Sequence, residues 1–380
     1  MGERILTNAK LVLIDRVVEG TVLLRDGLIG EICEGRSAVQ SAVDCEGDLL
    51  LPGLVELHTD NMDRHMLPRP RSSWPIEAAV INHDREIVNA GITTVFDALG
   101  VGEITPDSVR AKLARQYPDG LRAQKDDGAL KADHFLHLRC EISDAHLVDW
   151  LDDLVDRPEV RLMSVMDHTP GQRQFAKIET YANFYQKKFD LSDEEVMAFM
   201  AKRRIEQEKN GAPNRRIVVA MAKERGIALA SHDDATLEHV DEAVRDGVSI
   251  AEFPTTMVAA EASHGAGLAV LMGGPNIVRG QSHSGNTSAR ELAERGLLDI
   301  ISSDYVPSSL LFAALLLARR IEGVSLPEAI KAITLTPARR VGLDDRGKIA
   351  VGLRADLIRV RPAESAPVVR SVWKQGERIA

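Results

Sequence analysis

The chain of 380 residues is long enough for a large barrel domain together with a small satellite domain. Its 44% hydrophobic and 27% charged residues are typical of a soluble enzyme and exclude a fibrous or disordered protein. The formal net charge of −10 argues against wholesale nucleic-acid binding, so any anion-binding site must be a local basic patch.

The cysteine content indicates a reducing compartment. Cys33, Cys45 and Cys140 are too few and too scattered for a disulfide framework or a cysteine-rich zinc site. The first residues show no secretory signal pattern, and the longest apolar stretch, 310–318, is far too short to span a membrane. We therefore expect a cytoplasmic protein that binds neither membrane nor nucleic acid.

Both ends of the chain read as short strands. Residues 3–50 contain alternating apolar runs broken by turn residues such as Asp26 and Gly27, and the last 36 residues, 345–380, repeat this pattern. The simplest interpretation is a composite β-sandwich domain made of residues 1–52 with 345–380. The alternative is two unrelated β caps, one at each end.

The middle of the chain, residues 53–344, alternates apolar strand-like runs with helical patterns. Eight such runs predict an α/β fold in which a parallel sheet closes into a (β/α)8 TIM-like barrel. The predicted strands are Leu50–Leu57, Thr93–Ala98, His134–Cys140, Val160–Met166, Ile227–Ala230, Ser249–Phe253, Ala269–Met272 and Leu298–Ser302. In such barrels the chemistry lies at the carboxyl ends of the strands.

The segment from about 171 to 216, between the fourth and fifth strands, is longer than a βα unit needs. It holds several aromatic residues and then a helical run that begins with the capping box formed by Ser192 and Glu195. We interpret it as a helical insertion that serves as a lid or as a contact in a homo-oligomer. A helical excursion without function is the alternative.

Ionisable residues follow the predicted strands one after another. His58 and Asp60, two residues apart at the end of the first strand, project to the same side and suit a divalent metal ion. The later strand ends add Glu141, His168, His232, Glu252, His283 and Asp304. Zinc, manganese or iron fits a mixed set of histidines and carboxylates, and Asp304 is the natural proton acceptor. Asp233 and Asp234 are interpreted as helix caps.

Basic and short polar residues lie on the same predicted loops. Guanidinium groups match phosphate oxygens in a bidentate manner, so a cluster of them at the barrel mouth of an acidic protein favours an anionic substrate. Surface arginines that merely carry solvated charge are the alternative. The candidate substrate-binding residues are Arg64, His65, Arg69, Arg173, His283, Ser284 and Asn286.

Several blocks together resemble the amidohydrolase superfamily, and within it the phosphonate-degradation branch. These blocks are the entry at residues 51–58, the basic stretch 58–71, and the segments 166–175, 251–256, 274–286 and 303–309. The resemblance implies metal-dependent hydrolysis of α-D-ribose 1-methylphosphonate 5-triphosphate to the 5-monophosphate and pyrophosphate. The implied partner is therefore a small phosphorylated sugar.

The chain departs from the usual superfamily pattern in its metal ligands. Asp60 stands where a second histidine is common, His168 stands in the region of a carbamylated lysine on the fourth strand, and Glu141 on the third strand is a candidate to bridge two metals. The ligand set for one or two divalent ions, with zinc preferred to manganese or iron, is His58, Asp60, Glu141, His168 and His232. Glu252 takes the place of a strand-six histidine, and its role as ligand or substrate contact stays open.

Two other functions remain possible at this stage. One is a C–N hydrolase of the same superfamily that acts on a cyclic amide, an N-acyl amino sugar or an aminopurine; it would have an apolar pocket without phosphate-binding arginines. The other is a non-catalytic scaffold with the same fold, which should have lost the metal ligands. A barrel by itself does not distinguish among these functions.

Overall fold

The structure is a computed structural model of the chain. It describes residues 2–69, 72–102, 109–173, 178, 181–182, 185–186, 191–280, 287–363 and 365–380. These residues group into two compact units. The first unit is Met1–Asp97, Gln116–Phe135 and Met272–Ala380, and the second unit is Ala98–Arg115 and Leu136–Leu271.

Strands from both termini form one mixed sheet in the first unit. The strands are β1 (Arg4–Val12), β2 (Val17–Arg25), β3 (Leu28–Glu34), β4 (Val43–Asp44), β5 (Leu49–Pro52), β14 (Leu357–Arg361), β15 (Val368–Lys374) and β16 (Glu377–Arg378). Their order is β16-β15-β14-β5-β1-β2-β3, with β4 beside β1. The apolar face buries Leu6, Leu24, Leu357 and Trp373. This composite sheet is part of the predicted fold class, which is confirmed, whereas the exact domain limits stay a prediction.

The second sheet contains eight strands that pair in chain order. They are β6 (Leu54–Thr59), β7 (Ile92–Val101), β8 (Asp133–Glu141), β9 (Val160–Met166), β10 (Ala228–His232), β11 (Ile250–Glu252), β12 (Ala269–Gly273) and β13 (Ile300–Ser302). Thr59 at the end of β6 makes a parallel bridge to Asp304, just beyond β13. The first and last strands therefore approach each other within the first unit, as the predicted barrel requires.

The predicted first strand, Leu50–Leu57, is wrong in one respect, because it is two strands in two different sheets. Gly53 separates them, and its backbone N–H donates to the carbonyl of Asp356 at 2.8 Å. A Cβ atom at Gly53 would lie 2.3 Å from Oγ1 of Thr93. The chain can therefore pass from one sheet to the other only where no side chain is present.

Twelve helices are present in the described part of the chain. They are α1 (Met62–Met66), α2 (Ile76–Asn89), α3 (Val109–Asp126), α4 (Leu147–Leu154), α5 (Asp193–Arg225), α6 (Leu237–Asp246), α7 (Met257–Gly265), α8 (Gly274–Arg279), α9 (Ala289–Glu294), α10 (Ser309–Arg320), α11 (Leu326–Lys331) and α12 (Leu335–Arg340). Across the residues that the structure describes, no helix combines the length and apolar character needed to cross a bilayer.

Helix α5 is the long helix of the predicted insertion, and it belongs to the second unit. Its 33 residues begin at the predicted capping box, in which Ser192 accepts from the N–H of Glu195 and the Glu195 carboxylate accepts from the N–H of Ser192. Its first turns pack against a small apolar core that includes Tyr181 and Tyr185. The helix continues through Pro213 to Gly226, which caps it in a left-handed conformation.

Candidate metal centre

Three of the predicted ligands and Glu252 lie at strand ends in the second unit. Glu141, His232 and Glu252 are the last residues of β8, β10 and β11, and His168 follows β9 by two residues. Glu141, His232 and Glu252 are buried, whereas His168 is half-buried. The carboxyl ends of parallel strands meet at one edge of a sheet, and the ionisable side chains are concentrated there.

Glu141 and His168 form a tight ion pair. Nδ1 of His168 lies 2.8 Å from Oε2 of Glu141, and the side chain of Ser143 donates to the other carboxylate oxygen. Burial alone would raise the pKa of Glu141, but these contacts and the nearby Arg203 lower it to about 2. Burial opposes protonation of His168, yet the neighbouring carboxylates raise its pKa to about 9. Glu141 is therefore a carboxylate near neutral pH.

Asp233 joins His168 and His232 in a group that we call the open trio. Its Oδ2 atom lies 3.6 Å from Nε2 of His168 and 3.5 Å from Nε2 of His232. This oxygen is buried and accepts no hydrogen bond from the described residues. Metal–ligand bonds of about 2.1 Å in a tetrahedral site put neighbouring ligand atoms roughly 3.4 Å apart. The spacing in the open trio thus fits atoms that share one divalent ion.

The other ring nitrogen of His232 faces Glu252. Nδ1 of His232 lies 3.2 Å from Oε2 of Glu252, and Nε2 of His137 lies 3.8 Å from the same oxygen. Metal-binding histidines commonly use their second nitrogen in this way to contact a carboxylate. The described geometry therefore favours Glu252 as the group that orients His232.

His58, Asp60 and Asp304 belong to the first unit, where backbone hydrogen bonds hold them together. The N–H of Asp304 donates to the carbonyl of His58 at 3.1 Å, and the N–H of Asp60 donates to the carbonyl of Asp304 at 3.2 Å. The hydroxyl of Thr59 donates to the same carbonyl at 2.6 Å. Asp304 adopts a positive φ of 56°, which aspartate tolerates better than most residues.

Glu56 joins the two segments that carry His58 and Asp304, a role that the sequence did not predict. Its buried carboxylate accepts the backbone N–H groups of His58, at 2.7 Å, and Ser303, at 2.5 Å. One side chain thus fixes both segments that carry predicted site residues. Burial raises its pKa to about 7 in spite of these hydrogen bonds. The sequence feature that could have revealed Glu56 is its position two residues before His58, which puts both side chains on the same side of the strand.

Asp233 was also missed, because it was interpreted as a helix cap together with Asp234. That interpretation is wrong for both residues. The cap of α6 is Thr236, whose side chain accepts from the N–H of His239, and Asp234 is an ion-pair partner of Arg173. The position of Asp233 directly after a candidate ligand, His232, was the signal.

The basic residues after β6 share one acidic partner. Arg64 forms an ion pair with Glu86, and Nε2 of His65 lies 2.8 Å from Oε2 of the same residue. Arg64 is exposed, and His65 is half-buried. The side-chain amide of Asn61 donates to Glu86 at 3.1 Å. Two basic side chains are therefore held together on α1 in the first unit.

The remaining predicted substrate-binding residues fall into three situations. Arg69 is exposed and makes a backbone bridge to Ser72. Arg173 is buried, pairs with Asp234, and donates to the carbonyl of His232 at 3.1 Å. His283, Ser284 and Asn286 lie outside the described residues. The substrate-binding roles of all these residues stay predictions.

A second group of buried histidines and carboxylate, the closed trio, lies in the first unit. It consists of His83, Asp97 and His134, none of which has an exposed side chain. Nε2 of His83 lies 2.7 Å from Oδ1 of Asp97, and Nδ1 of His134 lies 2.8 Å from Oδ2. Tyr117 donates to Oδ2 as well. The oxygens of this carboxylate are fully occupied by hydrogen-bonding groups.

Comparison with known proteins identifies the class. The profile of the amidohydrolase family matches residues 188–380. Among solved structures, the N-isopropylammelide isopropylaminohydrolase of Burkholderia multivorans has a TM-score of 0.66 at 16% identity and covers 100% of this chain and 98% of its own. The 5-methylcytosine deaminase of Klebsiella pneumoniae has a TM-score of 0.65 at 17% identity, with 99% and 98% covered. These structures show the fold.

The chain belongs to the amidohydrolase family. Its similarity to one curated relative is much greater than its similarity to those structures. The α-D-ribose 1-methylphosphonate 5-triphosphate diphosphatase of Escherichia coli (strain K12) is 45% identical over 376 residues, which are 99% of this chain and 100% of the relative. The resemblance to the phosphonate-degradation branch is therefore confirmed.

Proposed function

We propose that this chain is a metal-dependent diphosphatase that hydrolyses α-D-ribose 1-methylphosphonate 5-triphosphate to the 5-monophosphate and pyrophosphate. The observation that carries the proposal is the 45% identity to a diphosphatase of that name along the whole of both chains. Further support comes from Glu141 and His232, the last residues of their strands, and from His168, two residues after another strand, because barrel enzymes place their chemistry at these strand ends.

The proposed ligands are those predicted from the sequence, His58, Asp60, Glu141, His168 and His232, with Asp233 as an addition. The support for Asp233 is its buried, unbonded carboxylate oxygen at metal-sharing distances from two histidines. When bound, a divalent ion lowers the pKa of a water molecule and neutralises charge on phosphoryl oxygens. Nitrogen and oxygen ligands without thiolate suit zinc, manganese or iron, and zinc is our first choice.

The protein's own part in the reaction is proton transfer and orientation. Asp304 accepts a proton from the attacking water and returns one to the leaving group. Its backbone N–H and carbonyl both form hydrogen bonds with the His58–Asp60 segment, so the backbone from which its side chain projects is held beside those two residues. The carboxylate of Glu56 also holds these two segments together, because it accepts hydrogen bonds from the backbone N–H groups of His58 and Ser303.

Arg64, His65 and Arg69 bind the leaving pyrophosphate in this proposal. The exposed Arg64 is oriented by Glu86, and Arg69 is exposed as well, so both can exchange solvent for phosphate oxygens. Bidentate guanidinium–phosphate pairing supplies both attraction and orientation. The homo-oligomeric state and cytoplasmic location predicted from the sequence stay predictions.

The test is incubation of the metal-loaded protein with the ribose triphosphate in ¹⁸O-water, followed by phosphorus NMR. We expect stoichiometric pyrophosphate and a sugar monophosphate that carries the label, since attack falls on the α phosphorus. Label in pyrophosphate would place attack on the β phosphorus. Stepwise release of orthophosphate, or hydrolysis of a cyclic amide in place of the triphosphate, would overturn the proposed activity.

A further inference from the structure

Helix α5 carries a row of polar side chains that faces the loops after β8 and β9. The spacing of four, three and four residues puts the row on one side of an α-helix. Each of its side chains makes a hydrogen bond to one of these loops. We call this row the polar stripe, and it consists of Arg203, Gln207, Asn210 and Asn214.

The carboxyl-terminal half of the polar stripe binds backbone carbonyls of the loop that follows Glu141. The amide of Asn214 donates to the carbonyls of Ile142, at 2.9 Å, and Asp144, at 2.7 Å. The amide of Asn210 donates to the carbonyl of Ser143 at 3.2 Å. Asparagine is a poor residue for a helix interior, so its presence here twice is explained by these contacts rather than by helix propensity.

The amino-terminal half reaches the side chains of the same loops. The buried guanidinium of Arg203 donates to Oγ of Ser143, which in turn donates to the carboxylate of Glu141. Nη2 of Arg203 is also 3.6 Å from Oε1 of Glu141. Gln207 donates to Asp167, the residue directly before His168, at 3.2 Å.

We propose that Arg203 is a positioning residue that fixes Glu141 and, through the Glu141–His168 ion pair, the ring of His168 in the orientation required for metal binding. The inference rests on the proposed roles of Glu141 and His168 as metal ligands. One carboxylate oxygen of Glu141 accepts a hydrogen bond from Ser143, which Arg203 contacts, and the other lies against Nδ1 of His168. The carboxylate therefore has one favoured orientation. Glu206 fixes the guanidinium from the other side at 2.8 Å.

The proposed role requires a cationic side chain at position 203, because the Glu141 carboxylate that it contacts is buried. Arg203 is only 3% exposed and Glu141 only 2%, so each would be a costly buried charge without the other. A side chain of the same length without charge would leave the carboxylate free to rotate toward His168 alone. The consequence would be a less well oriented ligand, which weakens metal binding before it affects the fold.

The experiment compares Arg203→Met with Arg204→Met, a matched control one residue away on the exposed side of α5. The apparent Kd for Zn²⁺ is measured by competition with a chromophoric chelator. We expect Arg203→Met to bind Zn²⁺ about 10- to 100-fold more weakly, as for other residues that orient a ligand, and Arg204→Met to match the wild type. Arg203→Lys should recover part of the loss, because it restores the charge without the fork of donors.

Equal Zn²⁺ affinity in Arg203→Met and the wild type would overturn the proposal. If circular dichroism shows that Arg203→Met does not fold, Ser143→Ala carries the test, since it removes the hydroxyl between Arg203 and Glu141 without stranding a charge. Ser143→Ala should weaken Zn²⁺ binding about tenfold, and unchanged affinity would again overturn the role. The readout is metal binding, so it stays valid whether or not the wild type hydrolyses the ribose triphosphate.

Discussion

The closed trio of the first unit and the open trio of the second unit are built from the same residue types. Each consists of two histidines and one aspartate, and all six residues are buried except His168, which is half-buried. In the closed trio both oxygens of Asp97 lie within 2.8 Å of hydrogen-bonding partners. In the open trio Oδ2 of Asp233 accepts no hydrogen bond from the described residues, and its histidine neighbours are 3.5–3.6 Å away.

This difference separates a structural ion network from a site that can bind an ion. In the closed trio a metal ion would have to displace the histidine and tyrosine groups that already occupy both oxygens of Asp97, so it would add little stability. A buried carboxylate oxygen that accepts no hydrogen bond is incompletely compensated for its lost hydration, and a bound cation would supply the missing interaction. Residue composition alone would have ranked the two groups equally, whereas hydrogen-bond completeness distinguishes them.

The largest expected effect is loss of stability on breaking the closed trio. Asp97→Ala leaves His83, His134 and Tyr117 without their shared buried acceptor, and we expect a loss of about 3–5 kcal/mol in the free energy of unfolding. Urea unfolding measures it, with Asp127→Ala on the surface as the control. A loss below about 1 kcal/mol would mean that the closed trio contributes little to the fold.

The open trio should respond to metal where the closed trio does not. Zn²⁺ at 100 times its Kd should stabilise the wild type by about 2.7 kcal/mol, and a chelator should reverse the gain. Asp233→Asn should lose most of this metal-linked stabilisation while the metal-free protein unfolds at nearly the wild-type urea concentration. The same stabilisation by Zn²⁺ in Asp233→Asn and the wild type would remove Asp233 from the ligand set.

The closed trio should also give stability a pH dependence. Burial disfavours protonated His134, but Asp97 and Asp84 outweigh burial and raise its pKa from 6.5 to about 9. The folded state therefore holds a proton that the unfolded state releases between those values, so stability is full below pH 6.5 and declines as pH rises through 9. The decline should be about 3 kcal/mol.

Urea unfolding at several pH values measures this decline, and His134→Gln provides the comparison. Glutamine keeps a polar side chain but cannot titrate, so the variant should be less stable at pH 6 and should lose the decline attributable to His134 between pH 6.5 and 9. A decline of equal size in His134→Gln would assign the pH dependence to another group.

The sequence predicted the barrel strands well, because apolar runs that alternate with helical periods carry strong signals. It joined β5 and β6 into one strand, since nothing local shows that Gly53 must pass against Thr93. Of the residues selected by strand-end position, Glu141, His168 and His232 lie close together in one unit, and His58, Asp60 and Asp304 lie close together in the other; their roles stay predictions.

The residues that the sequence did not reveal are those whose role depends on a partner far along the chain. Glu56 binds the N–H of Ser303, 247 positions away, and Arg203 reaches Ser143 across 60 positions. Arg173 was predicted to bind phosphate, and the sequence did not reveal that its guanidinium pairs with Asp234 and donates to the carbonyl of His232. Such roles follow from tertiary pairing, which periodicity and spacing do not encode.

The smallest expected effect decides how Glu252 acts, a point that the sequence left open between metal ligand and substrate contact. In the structure its Oε2 atom lies 3.2 Å from Nδ1 of His232, so we expect it to orient that ring. Glu252→Gln keeps an oxygen that can accept from Nδ1 but removes the charge, and the Zn²⁺ affinity should fall only about tenfold, or about 1.4 kcal/mol. The Kd for Zn²⁺ from chelator competition measures this change, with Glu261→Gln on α7 as the control.

A thousandfold loss of Zn²⁺ affinity in Glu252→Gln would make Glu252 a ligand in its own right. An unchanged Kd with a raised KM for the ribose triphosphate would make it a substrate contact. In either case Glu252 would differ from Asp97, whose carboxylate only accepts hydrogen bonds, from His83, His134 and Tyr117.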